Sequence, residues 1–337
     1  MGKDRQETTR LAPSPTGALH LGNARTFLIN WAMARRLGWR IVLRIEDLDT
    51  PRVKPSAIGG IADTLRWLGI DWDAPVVGPP DSPLIQSRDL EPYRDAMRAL
   101  AERGLAYPCE LTRAQIEAAA SAPQEGSHET PFPKHLRPAV AGAPIDFDKA
   151  QADARNRDGG VANWRFFCPT GDVAFTDRFA KAQSFDPSEI IGDFVLWTKR
   201  DLPSYQLAVV VDDDRQGVTQ IVRGEDLLDS AARQLLLYRA LGLGPEPDYW
   251  HLPLVLGSDG RRLAKRHGDT RIDHYREKGV PAEAVIGLIA HWSIPGVPRA
   301  ALSAAEFKNR FDPATMRRTS VVFTSEDDAW LLSQARR

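Results

Sequence analysis

The sequence predicts an α/β fold built on a doubly wound parallel sheet, with a connective insert and a small helical C-terminal region. Strand and helix patterns alternate over the first hundred residues, and glycines follow the predicted helices. Residues 207–211 form a continuous apolar run, which is typical of a strand covered on both faces. With 337 residues, 42% of them hydrophobic, the chain is long enough for two or three domains with a sizeable core.

The N-terminal part predicts a strand, a loop, a helix and a second strand. Residues 10–12 are a candidate strand, and a loop rich in Pro, Ser, Thr and Gly follows over residues 13–17. From Leu21 onward apolar residues recur with the 3.6-residue period of an amphipathic helix, and Gly38 is suited to end it. Residues 41–45 predict a buried strand. Because the two strands flank one helix, we expect them to lie parallel in one sheet.

The middle of the chain contains a loop-rich stretch, and further elements follow it. Between about residues 118 and 160 Ala, Pro, Gly, Asp and Arg dominate and periodicity is poor, which predicts an insertion with long loops. The apolar run 207–211 predicts a buried strand, and a helix is expected from about Ser230, with Gly242 at its end. The acidic residues 212–214 at the end of that strand are either a metal site or caps for neighbouring loops.

Composition and charge exclude several classes of protein. The 44 Lys and Arg residues against 45 Asp and Glu give a net charge of −1, so any nucleic-acid contact must come from local basic patches. No signal peptide is apparent, and no apolar run approaches the ~18 residues of a membrane span. The two cysteines, Cys109 and Cys168, cannot form a disulfide framework, which is typical of a reducing compartment. We therefore expect a cytoplasmic protein without a membrane partner. Separately, we expect it to be a monomer.

One motif at a predicted helix start points to nucleotide chemistry. The Pro-rich residues 12–17 lead into residues 20–23, where free N–H groups and the positive end of the helix dipole suit a polyphosphate. His20 can donate to phosphate oxygens, and Gly22 leaves room for a flat base. The alternative is an ordinary turn between strand and helix with a surface histidine.

A basic loop late in the chain is the second motif. Residues 261–268 follow an apolar stretch and include Lys265. Lysine suits phosphate chemistry because a point charge on a flexible stem can follow phosphate oxygens as negative charge builds up in a transition state. The alternative is a solvated basic loop.

Together these motifs resemble the signatures of class I aminoacyl-tRNA synthetases, in the version of the glutamyl branch. Residues 20–23 resemble the HIGH motif, with Asn23 in place of the second histidine. The loop resembles the KMSKS motif, although Arg262 and Ala264 depart from its first lysine and its serine. Three further blocks, residues 43–49, 204–213 and 217–228, also match and occur in the family's order.

The resemblance implies a Rossmann-like catalytic core that uses ATP as a substrate, with Mg²⁺. The implied chemistry is attack of an amino-acid carboxylate on the α-phosphorus of ATP, which needs positioning and charge neutralisation rather than a covalent nucleophile. It implies that His20 and Lys265 are catalytic. The ATP-binding residues it implies are His20, Gly22, Asn23, Lys265 and Arg266.

Substrate chemistry supports L-glutamate independently of the family. A carboxylate is best bound by a guanidinium and an ammonium by a carboxylate, and Arg10, Arg223 and Glu46 lie at predicted strand ends. In the alternative these three side chains only pair with one another. The positions that match the family's glutamate-binding residues are Arg10, Leu11, Ala12, Pro13, Ser14, Glu46, Tyr205 and Arg223.

The resemblance also divides the chain. It implies residues 1–108 as the first half of the catalytic core, 109–190 as a connective insert, 191–260 as the second half, and 261–337 as the lysine loop with a helical tail. The short stretch after Lys265 leaves no room in this sequence for a large anticodon-binding domain.

The expected acceptor follows from this short architecture. It resembles the truncated branch of the family, which loads glutamate onto queuosine at the wobble position of tRNA(Asp), so the expected partner is the anticodon stem-loop of that tRNA. One alternative is a catalytic core that charges tRNA(Glu), and another is a non-catalytic paralogue that binds nucleotide or RNA. Candidates for backbone contacts are Arg35, Arg36, Arg261, Arg262, Arg266, Arg317 and Arg318, each of which is otherwise solvated surface.

We expect no zinc. The truncated branch typically carries a Cys-x-Cys pair in the insert, but here Cys109 is followed by Leu111 where the second cysteine would stand. His128 and His135 do not restore the usual ligand spacing. Cys168 is expected to be a buried apolar residue.

Overall fold

A computed structural model gives the fold. It describes residues 6–15, 17–49, 51, 53, 55–73, 84–119, 130–263 and 267–335. Four residues named in the sequence analysis therefore lie outside the described residues, namely His128, Ala264, Lys265 and Arg266, as does Thr16 of the Pro-rich loop.

The helices of the described chain alternate with strands in its first half and dominate its end. They are α1 (Leu21–Leu37), α2 (Pro55–Trp67), α3 (Glu91–Glu102), α4 (Arg113–Ala119), α5 (Phe147–Asp158), α6 (Pro187–Ile190), α7 (Tyr205–Arg215), α8 (Leu228–Leu241), α9 (Ile272–Glu277), α10 (Ala282–Ser293), α11 (Ala304–Arg310) and α12 (Ser325–Ser333).

The strands are short, and most lie in the first 260 residues. They are β1 (Thr8–Leu11), β2 (Arg40–Ile45), β3 (Leu84–Ile85), β4 (Ala106–Cys109), β5 (Asn163–Phe166), β6 (Val173–Asp177), β7 (Lys181–Phe185), β8 (Val195–Trp197), β9 (Gln220–Gly224), β10 (Asp248–Leu252), β11 (Val255–Leu256) and β12 (Val321–Val322).

Over the described residues the main sheet has seven strands in the order β3-β2-β1-β9-β10-β6-β7. Neighbouring strands are parallel except for β7, which pairs antiparallel with β6 at one edge. From β1 the chain builds outward to β2 and β3 on one side, whereas β9 and β10 lie on the other. The strand order therefore reverses between β1 and β9, the place where open α/β sheets bind ligands. The predicted doubly wound parallel sheet is confirmed.

Helix α1 lies against β1 and β2 and confirms the predicted helix. His20 precedes it as N-cap, and Gly38 ends it with φ of 74°, a left-handed conformation that glycine adopts without strain. Its buried face includes Leu28 and Ala32, which belong to a core cluster shared with α10 and α11. The predicted strand at 41–45 is confirmed as β2, so the strand–helix–strand unit is correct.

The prediction of a strand at residues 207–211 is wrong, because these residues form the middle of helix α7. All five are buried, so the run carries no periodicity that would separate a strand from a helix. Local signals favour the helix, since the Ser204 hydroxyl accepts a hydrogen bond from the Leu207 N–H at 3.5 Å as an N-cap. The acidic residues 212–214 consequently lie near the end of a helix and not after a strand.

The stretch predicted as a loop-rich insertion contains more regular structure than expected. Helix α5 lies within it, capped by Asp146 at its start and by Gly159 in a left-handed conformation at its end. The helix was not predicted because it contains few apolar residues. Its first residue, Phe147, packs against the rings of Trp164 and Trp197. Strands β6 and β7, which fall in the range assigned to the insert, complete the main sheet. The domain bounds themselves stay a prediction.

The C-terminal region is helical, as predicted. Helix α10 contacts both α11 and α12, and a two-stranded pair of β11 and β12 joins this region to the segment before the lysine loop. Among the described residues, no helix combines the length and the apolar character that crossing a bilayer requires.

Candidate active site

A cavity of about 890 Å³ opens where the strand order reverses. Its walls come from the carboxyl ends of β1, β2 and β9, the start of α1 and α7, and the loop after β10. The structure brings ten of the predicted site residues together in this cavity. They are Arg10, Ala12, Pro13, Ser14, His20, Gly22, Asn23, Glu46, Tyr205 and Arg223.

Leu11 is the predicted glutamate-binding residue that does not line the cavity. Neighbouring residues of a strand point to opposite faces, so Leu11 points away from the face that Arg10 occupies. Its side chain is fully buried in the core cluster that includes Leu28 and Ile41. Leu11 therefore does not contribute its side chain to the cavity, and its assignment to glutamate binding stays a prediction.

Arg10 and Glu46 are held by a chain of buried charges. The Arg10 Nε donates to Asp213 Oδ1 at 3.2 Å, and the same oxygen accepts from Arg44 at 2.7 Å. Arg44 in turn donates twice to Glu46 Oε1, at 3.3 and 3.1 Å. Gln216 Oε1 accepts a further bond from Arg44 at 2.9 Å. The four charges alternate in sign, which compensates the cost of removing each from water.

Burial and pairing set the ionisation of this chain. Burial disfavours the charge of Arg44, but Asp213 and Glu46 outweigh it and raise its pKa, so the guanidinium stays charged. Burial raises the pKa of Glu46, and Arg44 and Arg10 oppose that shift. Only 9% of the Glu46 side chain is exposed, so a ligand that reaches it is itself largely out of water.

Arg223 is held by neutral partners. Its Nε donates to His251 Nε2 at 2.9 Å, one terminal nitrogen donates to Gln234 Oε1 at 2.8 Å, and the other donates to the Leu227 carbonyl at 3.1 Å. Its guanidinium also lies over the Tyr249 ring, 5.2 Å from the centroid. The alternative in which Arg10, Glu46 and Arg223 only pair with one another is wrong, because each has other partners in the described chain.

His20 caps α1 with its side chain. The Nδ1 atom accepts hydrogen bonds from the Gly22 and Asn23 N–H groups at 3.2 and 3.4 Å, and the Leu21 N–H donates to the Thr270 carbonyl at 3.0 Å. The expectation of free N–H groups at this helix start is therefore wrong. Burial, assisted by Arg262, lowers the pKa of His20 to about 4. The neutral ring then carries its proton on Nε2, which remains a donor for an anion.

Gly22 packs closely against this cap. A Cβ at that position would lie 3.1 Å from His20 Cε1 and 3.9 Å from Val255 Cβ, so a side chain would press on the capping imidazole. Asn23 lies one residue further along α1 and also faces the cavity. That Gly22 leaves room for a base, and that Asn23 contacts ATP, remain predictions.

The residues of the lysine loop that the structure describes, on either side of 264–266, contact the rest of the protein. Arg262 forms an ion pair with Asp226 at 2.5 Å across the cavity mouth. His267 packs against Gly257, where a Cβ would lie 2.3 Å from its ring, and its Nε2 is 2.8 Å from Asp259 Oδ1. The Ile272 N–H donates to the Leu19 carbonyl at 2.8 Å, so this loop returns beside His20. Lys265 and Arg266 lie outside the described residues.

The basic residues expected to contact RNA are partly engaged within the protein. Arg35 pairs with Asp71 and Asp73 at 3.1 and 2.9 Å, and Arg36 donates to the Phe311 carbonyl at 3.1 Å. Arg318 donates to the Phe179 carbonyl at 3.0 Å. The two carboxylates offset the charge of Arg35. The bonds to carbonyls use donors of Arg36 and Arg318 that could otherwise bind a phosphate.

The residues around Cys109 do not fit a metal site. Cys109 is buried in an apolar cluster with Ile116 and Phe132, against which Leu111 packs. No group of three His, Cys, Asp or Glu side chains able to hold a metal occurs among the described residues. Cys168 is 1% exposed, as predicted for a buried residue, and burial raises the pKa of its thiol to about 12.

Sequence reasoning missed the side chains that support the site. Arg44 and His251 were not predicted, although each is a charged or polar residue within an apolar stretch, which is a signal for a buried network. Asp213 was noted only as part of the acidic run 212–214, without its role in holding Arg10 and Arg44. Arg25 was missed as well. It is 1% exposed, lines the cavity, donates to the Ser293 hydroxyl at 3.1 Å, and so ties α1 to α10.

The sheet is parallel apart from one edge strand, and a charged cavity lies where its strand order reverses. The start of a helix that a histidine caps forms part of the cavity wall. This is the framework of a class I synthetase. The family described as tRNA synthetases class I (E and Q), catalytic domain, matches residues 7–327. The chain belongs to this family of ligases, whose members act on ATP, typically with Mg²⁺, and on tRNA.

Within the family, the chain is similar to bacterial proteins named glutamyl-Q tRNA(Asp) synthetase. That of Symbiobacterium thermophilum is 49% identical over 286 residues, which cover 84% of this chain and 85% of the relative. That of Rhodopirellula baltica is 47% identical over 82% of each chain. A glutamate–tRNA ligase of Anaeromyxobacter is 36% identical over 96% of this chain, but the match spans only 65% of that ligase.

A solved structure agrees with the fold. The glutamate tRNA ligase of Elizabethkingia meningosepticum, determined in complex with its amino acid, superposes with a TM-score of 0.77 at 28% identity. The match covers 97% of this chain and 68% of that ligase.

Proposed function

We propose that this chain activates L-glutamate with ATP and transfers the glutamyl group to queuosine at the wobble position of tRNA(Asp). The observation that carries the first half is the cavity, which holds the guanidiniums of Arg10 and Arg223 and the carboxylate of Glu46 together. Glutamate has two carboxylates and one ammonium, so its charges are complementary to these three groups. Ser14 and Tyr205 line the same cavity and can add hydrogen bonds.

The first step is an in-line displacement. An oxygen of the glutamate α-carboxylate attacks the α-phosphorus of ATP, the bond from that phosphorus to the bridging oxygen breaks, and pyrophosphate leaves with the electron pair. The products are glutamyl-adenylate and pyrophosphate. His20 Nε2–H donates to a phosphate oxygen, and Lys265 stabilises the charge that develops on the phosphates, with Arg266, Gly22 and Asn23 assisting.

Mg²⁺ would enter this site with the phosphates of ATP. The cavity-lining carboxylates are Glu46 and Asp226, and each is already paired with an arginine. These residues do not form a ready cation site, so we derive no step from a protein-bound metal.

In the second step a hydroxyl of queuosine attacks the acyl carbon of glutamyl-adenylate, AMP leaves, and an ester forms. Support for this acceptor comes from relatives named glutamyl-Q tRNA(Asp) synthetase that match 82% and more of their own length. The proposed partner is therefore the anticodon stem-loop of tRNA(Asp). We expect the protein to act as a monomer in the cytoplasm, where tRNA and ATP are present.

The deciding experiment measures transfer of labelled glutamate to three purified acceptors. They are tRNA(Asp) with queuosine, tRNA(Asp) from cells unable to make queuosine, and tRNA(Glu). We expect labelling of the first alone, in a form that periodate treatment of the tRNA beforehand prevents. Labelling of tRNA(Asp) without queuosine would contradict the proposed acceptor.

A second candidate is charging of tRNA(Glu), which the match to the Anaeromyxobacter ligase over 96% of this chain favours. Glutamate-dependent exchange of pyrophosphate into ATP separates the two, because full-length glutamyl enzymes characteristically need tRNA for this step. We expect exchange without tRNA. Exchange that appears only with tRNA(Glu) would favour the second candidate.

A further inference from the structure

The Arg223 guanidinium rests on a buried histidine that belongs to no predicted site. His251 lies on β10, directly opposite Arg223 on β9, and is 1% exposed. Its Nε2 accepts the hydrogen bond from Arg223 Nε at 2.9 Å, and its Nδ1 lies 2.6 Å from Asp177 Oδ2 on β6. Three adjacent strands thus supply a row of three side chains that ends at the cavity.

The partners fix the state of the imidazole. An arginine Nε only donates, so His251 Nε2 must present its lone pair, and the ring proton must lie on Nδ1, facing Asp177. Burial, together with the charge of Arg223, lowers the pKa of His251, in agreement with a neutral ring. A protonated ring would set an N–H against the N–H of Arg223 and place two positive charges side by side.

Asp177 is anchored more firmly than the histidine it holds. Its carboxylate accepts hydrogen bonds from the backbone N–H groups of Phe179, Ala180 and His251 at 2.8, 2.6 and 3.1 Å. Burial alone would raise its pKa, but these bonds and the bond from His251 lower it. Asp177 therefore remains ionised and sets both the tautomer and the orientation of His251.

This arrangement differs from that of Arg10, which contacts a carboxylate directly. A carboxylate bonded directly to Arg223 would neutralise part of the positive charge that attracts a substrate carboxylate. A neutral imidazole orients the guanidinium and leaves its charge available, while the balancing negative charge lies one side chain further away. Two of the five N–H groups of Arg223 also remain without a partner in the described chain, whereas Gln234 and Leu227 take two others.

We propose that His251, held by Asp177, is a positioning residue that aims Arg223 at a carboxylate of bound glutamate. This inference rests on the proposed glutamate activation. His251 does not contact the reacting atoms, so its loss should weaken glutamate binding selectively and leave the ATP subsite, which His20 and the lysine loop form, as it is.

Two substitutions of the histidine separate its two contacts. In His251→Gln the side-chain amide reaches the place of Nε2 and keeps an acceptor for Arg223. In His251→Asn the amide reaches only the place of Nδ1, so the bond to Asp177 survives and the acceptor for Arg223 is lost. We expect the KM for glutamate to rise about 10- to 100-fold in His251→Asn, as for one lost hydrogen bond to a charged group. The rise in His251→Gln should be clearly smaller, and the KM for ATP should change less than about twofold in both.

His291→Asn is the matched control, since His291 on α10 does not line the cavity, bonds only to the Val297 carbonyl among the contacts described, and should leave both KM values unchanged. The inference would be overturned if the two His251 variants raised the KM for glutamate equally, or if either variant raised the KM for glutamate and for ATP equally. The proposed function would still stand in that case, provided that the wild type catalyses exchange. Absence of exchange in the wild type would instead contradict the proposed function.

Nitrogen NMR of the wild-type histidines decides the geometry without any variant or activity. We expect one neutral ring with the Nδ1–H tautomer, whose assignment to His251 follows from a correlation across its hydrogen bond with Arg223 Nε–H. An Nε2–H tautomer for His251 would overturn the inference even if both variants failed to fold.

Discussion

The two ends of the cavity are built differently. At the carboxylate end, which comprises Arg10, Arg44, Glu46, Asp213 and Arg223, every charged side chain has a buried partner at a fixed distance. At the phosphate end, which comprises His20, Gly22, Asn23 and the lysine loop, the described contacts come from a helix cap and an exposed ion pair. The first end is organised before a ligand arrives, whereas the second is positioned by backbone contacts of a surface loop.

The physical reason lies in the cost of burial. Charges removed from water must be paired and hydrogen-bonded, so a network such as Arg10–Asp213–Arg44–Glu46 is stable only if it is complete. An exposed pair such as Arg262–Asp226 contributes at most about 1 kcal/mol and can exchange partners. Substitutions should therefore affect folding and glutamate binding at the carboxylate end, and mainly catalysis, with little effect on folding, at the phosphate end.

Asp213→Ala is the most severe test of this difference. It leaves the guanidiniums of Arg10 and Arg44 without their shared partner, at a cost of about 3–5 kcal/mol in the free energy of unfolding. Urea denaturation measures it. Asp214→Ala, the next residue of α7, is the control and should stay within about 0.5 kcal/mol of the wild type. Equal stability of the two variants would show that the network contributes nothing to the fold.

Arg223→Ala tests the same end through the ligand. Removal of one partner of a desolvated pair costs about 2–5 kcal/mol, so glutamate activation should fall below detection while ATP still binds. Arg223→Lys should restore little, because an ammonium cannot make the bonds to His251 and Gln234 and still present two donors.

Calorimetric titration with glutamate and ATP, next to thermal melts, distinguishes binding from folding in the Arg223 variants. A purely structural role in which Arg223 pairs with the nearby Glu225 or Asp226 does not agree with the structure, where Asp226 pairs with Arg262 and Glu225 accepts from Ser320 at 2.7 Å. Unchanged glutamate affinity in Arg223→Ala would rule out its assignment to the substrate.

Lys265→Ala tests the phosphate end. Lys265 is proposed to meet charge that appears only in the transition state, so kcat should fall about 10²- to 10³-fold with little change in the KM for glutamate. Stability should be unaffected, in contrast to Asp213→Ala. Pre-steady-state formation of glutamyl-adenylate gives the rate directly, and a normal rate would reduce this loop to a surface element.

The same contrast explains how much could be predicted from the sequence. Arg10, Glu46 and Arg223 were predicted because charged residues at the ends of apolar strands meet at one edge of a parallel sheet, and His20 because it precedes a periodic helix. The helix at 207–211 was missed because a fully buried run carries no period.

His251 and Asp177 were missed for a different reason. They are 74 residues apart, and only the pairing of β6 with β10 brings them together. A sequence shows which residues are unusual in their surroundings, but the partner of a buried polar group depends on the strand order, which local patterns do not determine. Leu11 is the reverse case, since a match in sequence does not say to which face a strand residue points.

The smallest expected effect concerns the cap at His20, and it tests whether the phosphate end adds anything to folding. The folded pKa of His20 is about 4, below the ordinary value of 6.5 for an exposed or unfolded histidine. Between these values the unfolded chain takes up a proton that the folded chain does not, so the stability contributed by the neutral cap is present above pH 6.5 and declines as the pH falls toward 4.

In His20→Asn the amide oxygen can accept from the same backbone N–H groups without titrating, so the variant should keep the cap, worth about 1 kcal/mol, at every pH. We therefore expect the melting temperatures of the two proteins to be similar at pH 7.5 and the wild type to lose more on going to pH 5, by a few degrees. The subtraction of one melt from the other removes the contribution of all groups that titrate equally in both proteins. A difference that does not change with pH would mean that His20 titrates alike in both states, and that its Nδ1 is not the cap of α1.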